Sequence, residues 1–295
     1  MKKTTFNTPK TNLLLLACLE MFIYSCTPKP IPIYLDEIES HPVVWTQVIP
    51  NTTTLLYLSR SFSALEFQES STDTTDSTGT DGLEELMQQF LAEDALVILT
   101  HNNVNDTLFK VSDGIWATLS TELISGDTYQ LFAQDFYNDK SITAEALMYP
   151  EVEPDSITYS IVDTATVDVM VQFIDPPGPN WYAVHFYSEY ANPLEVDDPF
   201  AAENVVETEL ISDLEFNSSL VAISKTLEFL ESDTFYVSLN NISPEYYDYL
   251  SQRQRGGTIY NQLVQEPINY VSNVQGGFGM FALHVPSVRQ VILVD

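Results

Sequence analysis

Cysteine, histidine and positive charge are scarce in this chain, and each scarcity closes off a class of function. Only 2 of 295 residues are Cys, 4 are His and 11 are Lys or Arg, against 42 Asp and Glu. The formal net charge of −31 leaves no basic surface for nucleic acid or for anionic lipid headgroups. His41, His101, His185 and His284 stand far apart, no HExxH pair occurs, and the cysteine count excludes a Cys–His zinc site. Without a Gly-x-Ser-x-Gly elbow there is no serine to nominate as a nucleophile. Acidic pairs are so plentiful that spacing alone selects no glycosidase dyad. No catalytic residue, metal or cofactor is therefore expected.

What is present begins at the N-terminus. Lys2, Lys3 and Lys10 precede the apolar run that opens at Leu13, and a cysteine follows it, the order of a bacterial lipoprotein signal. Two cysteines compete for the anchor. Leu15–Leu16–Ala17–Cys18 has the better Leu-x-small-Cys pattern, but cutting there leaves Leu13–Ala17, five residues, where such regions usually run roughly 7–15. Cutting before Cys26 gives thirteen, Leu13–Ser25, interrupted by Glu20. Thr27–Pro28–Lys29–Pro30–Ile31–Pro32 then reads as an extended tether, which favours Cys26 as the lipidated residue. A transmembrane anchor is the competing reading, but thirteen residues with an internal Glu fall short of the roughly 20 needed to span a bilayer. Cleavage before Cys26 leaves a single cysteine, consumed by lipid, so no disulfide is expected.

Removing Lys2, Lys3, Lys10 and Glu20 from the counts leaves 8 basic and 41 acidic residues in the mature part. Aromatics are abundant, with 16 Tyr and 16 Phe, enough to build cores despite the charge. β-branched or alternating runs recur at Val43–Ile49, Thr54–Leu58, Leu96–Thr100, Trp116–Leu119, Tyr129–Gln134, Ile142–Leu147, Ile157–Ile161, Val167–Ile174, Tyr182–Tyr187 and Thr234–Leu239. Turn residues separate them, as at Ser125–Gly126–Asp127 and Asn138–Asp139–Lys140. Short strands at this spacing predict a mainly all-β chain of two β-sandwich, immunoglobulin-like domains.

Two short helices are also predicted. Asp81 caps Leu83–Ala92, whose Leu83, Leu86, Met87, Phe90 and Leu91 share one face. Ser243 and Pro244 open a second helix, which ends near Arg253 and Arg255 before Gly256–Gly257. Glu69–Gly82 reads as a solvated Ser/Thr/Asp loop without the spacing of a calcium-binding EF-hand loop. Another acidic loop holds Glu195, Asp197 and Asp198. Pro150 and Pro154 mark a boundary. The expected organisation is residues 1–25 signal peptide, 26–40 anchor and tether, 41–150 an N-terminal β-domain and 151–295 a C-terminal β-domain.

Several stretches then resemble one family. They are Ser125–Gly126–Asp127–Thr128–Tyr129–Gln130–Leu131, the run Val169 to Asp175–Pro176 with Asn180–Trp181–Tyr182, and Ile242–Ser243–Pro244–Glu245–Tyr246–Tyr247. The most specific is Ser272–Asn273–Val274–Gln275–Gly276–Gly277–Phe278–Gly279–Met280–Phe281. Together with the signal, this is similar to the Bacteroidota lipoprotein family labelled domain of unknown function 4249. The C-terminal stretch reads as backbone work, its glycines taking positive φ or close approach while Phe278 and Phe281 plug the core.

The resemblance implies an outer-membrane, lipid-anchored protein of β-rich build with no assigned reaction. A non-catalytic binding or accessory module is expected, with an outer-membrane uptake receptor of the TonB-dependent type as the implied partner. A glycan-active hydrolase using paired carboxylates is the alternative. The first acid after Cys26 is Asp36, and this late acid favours a periplasm-facing domain over the cell surface. The implied lineage can attach O-glycans at Asp-Ser/Thr followed by a small or aliphatic residue. That pattern makes Thr74, Ser77 and Thr107 the modification candidates, with Thr107 expected in a hairpin turn.

Overall fold

Period-2 alternation becomes strand through most of the computed structural model, which describes residues 39–49, 53–61, 90–118, 120–188, 205–213, 219–228, 233–256 and 270–294. The first half contributes β1 (Pro42–Ile49), β2 (Thr53–Arg60), β3 (Ala95–His101), β4 (Val104–Thr107), β5 (Phe109–Ser112), β6 (Ile115–Thr118), β7 (Thr128–Asp135) and β8 (Lys140–Tyr149). The second contributes β9 (Ser156–Ile161), β10 (Thr166–Ile174), β11 (Trp181–Tyr187), β12 (Val205–Ser212), β13 (Leu220–Glu228) and β14 (Thr234–Ile242), followed by helix α1 (Pro244–Gly256). Four short strands close the chain: β15 (Val274–Gln275), β16 (Phe278–Met280), β17 (Leu283–His284) and β18 (Ser287–Ile292).

These strands make two sandwiches. In the first, a sheet ordered β16-β1-β2-β6-β5 faces one ordered β15-β8-β7-β3-β4. Val44, Leu56, Leu58, Val97, Leu99, Leu131 and Ile142 fill the space between them. In the second, β13-β10-β9 faces β12-β11-β14-β18 over Val169, Val171, Phe173, Tyr182, Val184, Phe186, Val237 and Leu239. The architecture is the pair of β-sandwiches, immunoglobulin-like in kind, that the strand spacing predicts. Tyr129 illustrates it: fully buried at the start of β7, its hydroxyl donates to the Glu122 carbonyl at 3.0 Å and accepts from Ile124 N at 2.7 Å. A tyrosine tied back to the backbone just upstream is the corner device of immunoglobulin-like sandwiches.

The last strands do not stay with the second half. β15 pairs with β8 antiparallel, β16 with β1 in parallel and β17 with β8 in parallel, before β18 returns to β14. Residues 274–284, expected within a C-terminal domain spanning 151–295, thus complete the first sandwich. Val274, Phe281 and Leu283 sit in its core. Residues 39–295 form one compact unit.

The C-terminal motif does the stapling. Ser272 Oγ donates to the Gly279 carbonyl at 2.7 Å; the Asn273 amide donates to the Phe281 carbonyl at 2.7 Å and accepts from Phe281 N at 2.9 Å. A Cβ on Gly276 would lie 2.5 Å from the Ser141 carbonyl oxygen, and one on Gly279 would lie 1.9 Å from that of Val44. The glycines therefore serve close backbone approach, and Phe281 is buried as expected. Phe278 is not: half-exposed, it lies edge-on to His41 at 5.6 Å instead of plugging the core. In parallel register with Val43, it falls on the face of β1 opposite Val44 and the core.

α1 forms where Ser243 and Pro244 predict it. Ser243 Oγ accepts from Tyr246 N at 3.1 Å, and Arg253 and Arg255 lie in the last turn, where the helix dipole favours positive charge. The helix predicted over Leu83–Ala92 lies outside the described residues as far as position 89. Leu91 bridges Ser59, and Ala92 N donates to the Leu58 carbonyl at 3.1 Å. The sequence pattern marks no strand at β4, β5, β12, β13, β15, β16 or β18; β4 and β5 are four residues each and largely exposed, so no apolar alternation marks them.

Candidate functional site

The sites foreseen in sequence divide by position. Cys26, its competitor Cys18, Thr74, Ser77 and the acidic loop of Glu195, Asp197 and Asp198 lie outside the described residues. Thr107 is exposed, yet it ends β4 opposite Ile98 and is not in a turn. The turn is Asn102–Asn103, both at positive φ (48° and 62°), a conformation asparagine tolerates better than most residues.

The outer face of the three-stranded sheet carries a shallow hollow of about 410 Å³. Its floor follows from register: Asp168 lies opposite both Ser160 and Thr226, and Met170 opposite both Thr158 and Ser224. Directly opposed residues share a face, so four hydroxyls, one carboxylate and one thioether stand side by side. Thr226 Oγ1 donates to Asp168 at 2.6 Å. At the rim, Lys225 Nζ pairs with Glu209 at 2.5 Å, which raises the lysine pKa. Hydroxyls both donate and accept, so this surface suits a polar ligand rich in hydrogen-bonding groups.

A second cluster lies along α1. Tyr246 and Tyr249 contact the Trp45 ring at 5.5 and 5.2 Å, Tyr249 contacts Tyr270 at 5.5 Å, and Tyr246 contacts His284 at 5.5 Å. Burial drives the Tyr246 pKa upward and lowers His185 and His284 to about 4, His185 adding to the effect on His284. The two histidines, 99 positions apart, are thus neighbours held neutral, a proximity nothing in the sequence signalled. His185 also bonds Thr208 at 2.9 Å. His101 bonds Asp127 at 2.7 Å and stacks on Tyr129 at 4.4 Å. Among the described residues no three His, Cys, Asp or Glu side chains converge as a metal cluster.

The family model described as Domain of unknown function (DUF4249) matches residues 29–289. The chain belongs to this family. In this DUF4249 member the signature stretch Ser272–Phe281 is therefore structural, closing the first sandwich. No curated protein matches the chain. Among solved structures, a two-domain fibronectin type III segment of chicken tenascin aligns at 10% identity and TM-score 0.21, over 68% of this chain and 90% of that one. The FN1–FN3 domains of chicken CNTN1 align at 10% identity and TM-score 0.26, over 83% of this chain and 61% of that one. No helix among the described residues is long and apolar enough to cross a membrane.

Proposed function

We propose that this DUF4249 protein is a lipid-anchored, non-catalytic binding or accessory module of the bacterial outer membrane. Cys26 carries the lipid, and the prolines after it space the sandwiches from the bilayer. The observation that carries the binding reading is the open, hydroxyl-lined hollow on β9, β10 and β13. It offers hydrogen bonds to a polar ligand or partner loop without enclosing it. A TonB-dependent uptake receptor is the partner proposed on family grounds.

The test is co-purification of the full lipoprotein from outer membranes of its native host, with identification of the proteins retained. The same partner should be lost when Ser160→Arg and Ser224→Arg fill the hollow. Retention of that partner at wild-type level by the double variant would refute the hollow as the contact. Release of reducing sugar from envelope glycans by the purified protein would favour the hydrolase.

A further inference from the structure

One end of the second sandwich is closed by polar side chains where a core would place apolar ones. Asn180, Tyr182, Asp175, Asp213 and Asn241 are all at most 7% exposed. Their convergence follows from register. Tyr182 opposes Asn241 across the β11–β14 ladder, so the two share a face, and Tyr182 is buried in the inner core. Asn180 lies two residues earlier on the same face, and Asp213 N donates to the Asn180 carbonyl at 3.1 Å, bringing Asp213 alongside. Asp175 follows β10 two residues after core residue Phe173, so it enters from the facing sheet.

The hydrogen bonds are incomplete in one specific way. Tyr182 donates to Asp175, and Asn180 Nδ2 donates to the Pro176 and Gly178 carbonyls, each at 2.9 Å, and to Asp175 at 3.4 Å. Asn241 Nδ2 reaches Asn180 Oδ1 at 3.5 Å. Among the described residues, Asp213 Oδ2 and Asn241 Oδ1 have no hydrogen-bond partner. Both are acceptors, and among the described residues no Lys, Arg or His pairs with Asp213. A buried carboxylate oxygen left without a partner is strongly unfavourable, and a positive charge meeting it would remove that penalty.

We propose that this pole binds a single hard divalent cation of the calcium type, ligated by the carboxylates of Asp175 and Asp213 and the side-chain oxygen of Asn241. Oxygen-only ligands of mixed carboxylate and amide character are what Ca²⁺ takes, and two carboxylates balance its charge. With only two carboxylates, Ca²⁺ would fill its remaining positions with carbonyl oxygens or water. The site ties the end of β10 to the ends of β12 and β14, which belong to the opposite sheet.

The experiment uses the full lipoprotein in detergent, stripped with chelator and dialysed at about 150 mM NaCl, so that weak adsorption to its many surface acids is screened. Equilibrium dialysis with ⁴⁵Ca²⁺ should find one saturable ion per chain, and Ca²⁺ should raise the unfolding midpoint of the stripped protein. Asp213→Asn should weaken binding by about tenfold or more. It should also leave the stripped protein at least as stable as stripped wild type, because it removes the uncompensated charge. Asp168→Asn, on the outer face, should bind normally. The proposal is overturned if wild type binds no stoichiometric Ca²⁺, if its midpoint ignores the metal, or if Asp213→Asn binds as wild type does. A stripped protein whose stability instead rises as pH falls through the carboxylate range, with no ion bound, would assign the compensating charge to a proton.

Discussion

Arg60 shows how single residues hold this fold. Its guanidinium grips Asp135 through Nε at 2.5 Å and Nη2 at 2.7 Å, donates to the Leu91 carbonyl at 3.0 Å and lies 4.5 Å over the Tyr137 ring. Asp135 is fully buried, so Arg60→Leu strands a charge and should cost about 3–5 kcal/mol in a urea titration. Glycines divide by what surrounds them. Gly126 sits at φ +86° with nothing within 4 Å of a new Cβ, so Gly126→Ala should cost only the left-handed strain of about 1–2 kcal/mol. Gly279, at φ +104° with Val44 O at 1.9 Å from that position, adds a collision, and Gly279→Ala should lose well over about 3 kcal/mol or fail to fold. His185 and His284 make a pH prediction. Unfolded they take protons near pH 6.5, folded only near 4. The unfolded state therefore binds more protons in that window, and stability falls as pH drops from 6.5 towards 4, by up to about 1.4 kcal/mol per unit for each histidine. His284→Phe, which keeps a ring against Tyr246, should remove one proton's share of that slope in midpoint-versus-pH measurements.

At the scale of elements, what could be read from sequence tracks how strongly a segment is half-buried. β1, β3, β7 and β10 alternate buried and more exposed positions almost without exception, and each was predicted within two residues at either end. β12 has no fully buried position, and β4 and β5 are almost wholly exposed, so their identity comes from pairing to neighbours and not from their own pattern. The return of β15 to β17 to the first sandwich is a long-range choice with no local signal at all. The hollow was equally invisible, since its Ser and Thr residues converge only through register. The signature stretch was legible as backbone chemistry but not as a staple, because its partners Ser141, Pro42 and Val44 lie more than a hundred residues upstream. Asn273 tests the staple: its amide replaces two ladder bonds to Phe281, so Asn273→Ala should cost about 2–3 kcal/mol while leaving α1 and the second sandwich folded. Hydrogen exchange that loosens β15, β16 and β1 alone would match that expectation, whereas uniform loosening would contradict it.

At the scale of the whole molecule, the proposed reading couples a strongly negative body to one anchoring residue, Cys26. Cleaved before Cys26, the chain would carry 41 acidic residues against 8 basic and repel anionic surfaces, so nothing but the lipid should hold it at a membrane. Cys26→Ala is therefore expected to move the protein from the membrane fraction to the soluble or unprocessed pool, while Cys18→Ala leaves anchoring intact. Acyl chains found on Cys18 by mass spectrometry would reverse that assignment. Orientation follows separately. With the first acid at Asp36, the body is expected to face the periplasm, so protease added to intact cells should spare it and digest it only after the outer membrane is opened. The same protein from its native host reports on modification, where Thr74 and Ser77 are the favoured O-glycan sites and exposed Thr107 the next. Intact mass should exceed polypeptide plus lipid by whole glycan units and fall by one unit in Thr74→Ala or Ser77→Ala. A mass equal to polypeptide plus lipid would remove all three sites, and digestion in intact cells would place the hollow and the cation site at the cell surface.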